Sequence, residues 1–95
     1  MLTLFLEWVY TRAAEQMPAA EMYVTFCAET DNRAARLDLD TPTAVARITC
    51  WDSGDYFAEI LEFETAKHVY TSHGQLVPDE CLSERFQDFF VALGG

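Results

Sequence analysis

The opening of the chain repeats with a helical period. Leu2, Phe5, Leu6, Val9 and Ala13 fall on one stripe, and Leu4, Trp8 and Thr11 line an adjoining one. This spacing predicts a helix from Leu2 to about Gln16 with a broad covered stripe. Thr3 stands where it could cap the helix, but Glu7 comes one place too late to complete a capping box. Met17-Pro18 ends it, because the residue before a proline avoids the α region.

The period then falls from 3.6 to 2. Met22, Val24, Phe26 and Ala28 alternate with Tyr23, Thr25 and Cys27, which predicts a strand over Glu21 to Ala28. Thr30-Asp31-Asn32 is turn chemistry. Ala34 to Asp40 alternates most cleanly, with Ala35, Leu37 and Leu39 against Arg36, Asp38 and Asp40. Thr41-Pro42-Thr43 turns the chain into a β-branched strand from Val45 to Trp51, which Asp52-Ser53-Gly54-Asp55 closes. A fourth strand, Tyr56 to Glu64, is apolar on both sides: Phe57, Leu61 and Phe63 on one, Tyr56, Ala58 and Ile60 on the other. Such a strand is covered twice or offers one face to a partner. Thr65-Ala66-Lys67 leads into a fifth strand from His68 to His73, and Gly74 is expected to break it.

Pro78-Asp79-Glu80 opens a second helix, in which Leu82, Phe86, Phe89, Phe90 and Leu93 form an amphipathic stripe. Asp79 and Glu80 suit its positive end, and Gly94-Gly95 closes it. Connections of about 3–5 residues favour antiparallel hairpins over crossovers. The predicted fold is therefore α+β: one domain over residues 1–95, a single-layer antiparallel β-meander of four to five strands with an N-terminal and a C-terminal helix.

Composition narrows the function. Six basic residues against 16 acidic ones give a net charge of −10 over 95 residues. Phosphate backbones and anionic membranes repel such a surface, so neither nucleic acid nor membrane is an expected partner. A basic protein is, because complementary charge speeds encounter and rejects wrong partners. The 13 aromatics make a core feasible at this length. The start, MLTLFLEWVY, has no basic leader and is interrupted by Glu7, so it does not read as a signal peptide. Cys27, Cys50 and Cys81 are odd in number and widely spaced, which suits free thiols in a reducing cytoplasm. A Cys27–Cys50 bridge would require their strands to be neighbours.

No catalytic constellation stands out. The four glycines form no phosphate loop, and His68 and His73, five apart on a regular strand, face opposite ways and cannot share a metal. Glu59, Glu62 and Glu64 read as solvated strand residues rather than as an acid–base pair. Neither a cofactor nor a metal is implied. What does stand out is a run of acids, Asp52, Asp55, Glu59, Glu62 and Glu64, around Trp51, Tyr56 and Phe57. Carboxylates around aromatics resemble a binding hot spot with a charged rim. The candidate contacts are Trp51, Asp52, Asp55, Tyr56 and Glu59, with Trp51 or Tyr56 as anchor.

The runs Ala35-Arg36-Leu37-Asp38-Leu39, Ala46 through Gly54 and Ala58-Glu59-Ile60-Leu61-Glu62 resemble small bacterial immunity proteins of the Tri-Tu family. So do the opening Phe5-Leu6-Glu7-Trp8 and the closing Phe86 to Phe90. The resemblance implies a non-enzymatic antitoxin. Its partner would be an ADP-ribosyltransferase toxin that is carried at the end of an Rhs protein, delivered by type VI secretion and directed at elongation factor Tu. The immunity protein would occlude the toxin's active site. The alternative reading from charge alone is a DNA-mimic inhibitor of a nucleic-acid-binding protein.

Overall fold

Five strands run in simple sequence order, each antiparallel to the last, in the computed structural model of the chain, which describes residues 1–16, 20–27 and 33–94. They are β1 (Glu21–Cys27), β2 (Ala34–Asp40), β3 (Ala44–Trp51), β4 (Asp55–Glu62) and β5 (Lys67–Gln75). The helices are α1 (Leu2–Trp8), a π-helical segment (Val9–Ala13), α2 (Ala14–Gln16), α3 (Leu82–Arg85) and α4 (Gln87–Leu93). The expected α+β meander is the observed fold. The expected helix stop at Met17-Pro18, strand end at Ala28, turn at Thr30-Asp31-Asn32 and closing Gly95 lie outside the described residues.

All the described helices pack on one face of the sheet, and the strand alternation decides which side chains meet them. Leu37, Leu39, Ile48 and Ile60 are fully or almost fully buried there, beside Ala35, Ala46 and Ala58. These alanines leave room for large rings from the helices. Phe86 sits 5.4 Å from Trp8 and 5.2 Å, edge-on, from Tyr56. Phe89 packs edge-on at 5.9 Å from Tyr70 and 5.2 Å from Phe90. Large rings over small strand residues fill a thin layer to the density a core requires. The indole N–H of Trp8 donates to Ser83 Oγ at 2.9 Å and so ties the first helix to α3.

Four local expectations change. Met1, not Thr3, is the N-cap of α1, and no side-chain hydrogen bond caps it. The first helical stretch loosens into a π-helical segment, where the Thr11 hydroxyl donates to the Glu7 carbonyl at 2.7 Å; such back-bonding competes with the helix ladder. The C-terminal helix does not start at Pro78. Residues 78–80 form a turn, and Glu80 accepts from the Val77 N–H at 2.8 Å and pairs with Arg85. The helix then divides at Phe86, whose backbone (φ −101°, ψ 13°) leaves the helical region. Last, Gly74 does not break β5. It lies opposite Tyr56, and a Cβ there would come within 3.2 Å of the tyrosine ring. The glycine makes room for an aromatic side chain of the next strand.

Cys50 lies in the core, whereas Cys27 and Cys81 are exposed; all three are free thiols, and β2 separates the strands of Cys27 and Cys50. Burial pushes the Cys50 thiol up from 9.0 to about 11. Near neutral pH, a thiol reagent is expected to modify Cys27 and Cys81 promptly and Cys50 only after denaturation, as read by mass spectrometry. The unfolded thiol loses its proton first, so the contribution of Cys50 to stability is complete below pH 9.0 and is lost as the pH rises towards about 11. Equal labelling rates at all three cysteines would contradict this placement.

Candidate partner-binding face

The opposite face of the sheet carries no described helix. The antiparallel register arranges its side chains in rows across the strands. One row runs Asp40, Val45, Leu61, His68; the next, Tyr23, Asp38, Arg47, Glu59, Thr71; the third, Thr25, Arg36, Thr49, Phe57, His73. Ala34 pairs with Trp51 at the far end, where Asp55 opens β4 opposite Gln75. Val45, Thr49, Trp51, Phe57 and Leu61 are all half-buried. One face of β4 is thus covered and the other is offered to solvent.

Charges organise the centre. Asp38 accepts from Arg36 Nε at 3.0 Å and from Arg47 Nε at 2.8 Å. Hydrogen bonding to Asp38 raises the Arg47 pKa, so the guanidinium stays charged. Across from Arg47 stands Glu59, which has no hydrogen bond or ion pair of its own among the described residues. A dimple of about 160 Å³ lies here between Val45, Leu61, His68 and Glu59, with Ala46 also lining it. It is large enough to receive part of a side chain.

The five candidate contacts do not form one cluster. Trp51, Asp55 and Glu59 share the open face. Asp52 lies in the following turn, where its carboxylate is 3.8 Å from the Met1 amino group and 3.7 Å from Arg33. Tyr56 points the other way. It is only 6% exposed, packs on Phe86, has Arg85 over its ring at 5.8 Å, and has its hydroxyl 3.3 Å from Ser72 Oγ. Strand parity explains the split: Trp51 and Asp55 sit on one side of the β3–β4 hairpin, and Cys50 and Tyr56 on the other.

The histidines also move. Ile60 pairs with Tyr70 but Leu61 with His68, so Val69 is an extra residue in β5. This bulge turns His68 onto the same face as His73. Their partners Leu61 and Phe57 are four residues apart, so the two imidazoles are anchored roughly 13 Å from each other along the strand. Among the described residues no group of three or more His, Cys, Asp or Glu could hold a metal. No described helix is long and apolar enough to cross a membrane.

The candidate set omitted Phe57, Leu61 and the Arg36–Asp38–Arg47 bridge. The signal for them was the alternation itself: every second residue of β4 that is not in the core must lie on the open face.

The family model described as Immunity protein TriTu matches residues 3–92, which takes in the whole sheet and nearly all of the N-terminal and C-terminal helical segments. Curated proteins give no significant match. The chain belongs to the TriTu immunity protein family.

Proposed function

We propose that this protein binds and neutralises a cognate ADP-ribosyltransferase toxin in the cytoplasm of the producing bacterium, by laying the open sheet face over the toxin's active-site cleft. The family supports a toxin-neutralising role. The observation that carries the choice of face is its makeup: half-buried Trp51, Phe57 and Leu61 beside the carboxylates of Asp55 and Glu59. Aromatic anchors ringed by charge give a desolvated centre and a rim that selects its partner. A cleft that holds the phosphates of NAD is cationic, so carboxylates suit it. Arg36 and Arg47 in the centre of the face interrupt any phosphate-like row of acids, which argues against DNA mimicry.

The test is a titration against the ADP-ribosyltransferase domain encoded beside this gene, with NAD-dependent modification of elongation factor Tu as readout. Tight binding and loss of modification at one-to-one stoichiometry are expected. Joint replacement Asp52→Ala, Asp55→Ala and Glu59→Ala is expected to weaken binding about tenfold at physiological salt and less at high salt, because screening already removes part of the attraction. An affinity within threefold of the parent would remove these acids from the interface. Undiminished modification by excess parent protein would end the occlusion reading.

A further inference from the structure

The two edges of the sheet are built differently. β5 carries Lys67 and the Val69 bulge, both devices that discourage further pairing. β1 has none of them. It is seven residues of regular strand, Glu21–Cys27, without Lys, Arg, Pro or a bulge in its pairing to β2. Its side chains are also poorly covered. The helices pack over β2 to β5, and Phe26, on the helix-facing side, remains 50% exposed. Met22 and Val24 beside it are only half-buried. A strand added here would pair the outer backbone edge of β1, which no described strand occupies, and place its side chains against this strip.

Charge specifies what could be added. The strand itself is neutral after Glu21. Glu21 pairs in register with Asp40, so two carboxylates mark one end. A second copy of the chain would bring the same acids together at net −10 each. We infer that the β1 edge takes up an extended segment of another protein, with a β-branched centre and lysine or arginine at the end that meets Glu21 and Asp40. This does not rest on the identity of the toxin.

The experiment is amide-resolved NMR of the whole chain, titrated with a blocked synthetic peptide whose Thr-Val repeat is flanked by lysine pairs. Shift changes are expected to concentrate in Glu21–Cys27. A glutamate-flanked version is expected to bind at least about fivefold more weakly at about 0.05 M salt, with the difference shrinking at about 0.5 M. Backbone N–H groups alternate between the ladder and the free edge, so Val24→Pro and Thr25→Pro separate the two roles. The variant that keeps its melting temperature is expected to lose the peptide-induced shifts. The proposal is overturned if millimolar peptide moves nothing in β1, if the shifts fall on β5 or the open face, or if both peptides bind equally at low salt. A peptide-free dimer by light scattering, paired through β1, would assign the edge to a second copy instead and would equally overturn it.

Discussion

Phe86→Ala is expected to destabilise the protein by about 3–5 kcal/mol, the range for deleting a buried aromatic side chain. Total stability for a chain of this length is of order 5–10 kcal/mol, so the variant should melt on the order of 20 °C lower. The reason lies in the packing. Phe86 is a ring that touches both layers: Trp8 on the first helix and Tyr56 at the start of β4 in the sheet. The facing strand positions are largely alanine and cannot move in to fill the space. The cavity therefore persists, and both the transfer and the cavity contributions apply. Val91→Ala, at a side chain 63% exposed on the same helix, is the control and should change little. Urea and thermal unfolding measure both. A loss below about 1.5 kcal/mol for Phe86→Ala would mean that the aromatic cluster does not hold the helices to the sheet.

The same packing shows what the sequence could and could not reveal. The alternation Ala35/Leu37/Leu39 against Arg36/Asp38/Asp40 located β2 and divided its faces correctly, because one side of that strand is fully buried and a one-residue slip would bury Arg36 and Asp38. The apolar stripe of residues 82–93 likewise identified the C-terminal helices. What failed depended on neighbours far away in sequence. Gly74 looked like a strand breaker because its reason for being glycine is the ring of Tyr56, across the ladder. His68 and His73 looked opposed because the Val69 bulge leaves no mark in composition. At the candidate site, clustering along the sequence grouped Trp51, Asp52, Asp55, Tyr56 and Glu59. A strand separates neighbours by face, and Tyr56 belongs with the core. Parity along β3 and β4 carried that information, but it could not say which parity the helices would cover.

That parity yields the sharpest test of the proposed binding face. Trp51→Ala is expected to reduce affinity for the toxin domain about thirtyfold, equivalent to about 2 kcal/mol, a usual magnitude for a truncated aromatic anchor. If the toxin is the proposed ADP-ribosyltransferase, elongation factor Tu should then be modified again at one-to-one stoichiometry. The melting temperature should fall little, since Trp51 is half-buried at the end of β3 and lies outside the buried cluster. Tyr56→Phe makes the opposite case. It removes only a hydroxyl near Ser72 on the covered face and should leave affinity within about twofold, whatever it does to stability. The two aromatics stand five residues apart on one hairpin, so a general disturbance of that hairpin would move both affinities together. A loss confined to Trp51→Ala would place the toxin on the open face. A loss confined to Tyr56→Phe, or to neither, would exclude Trp51 as an anchor and turn attention to the helical layer and the β1 edge.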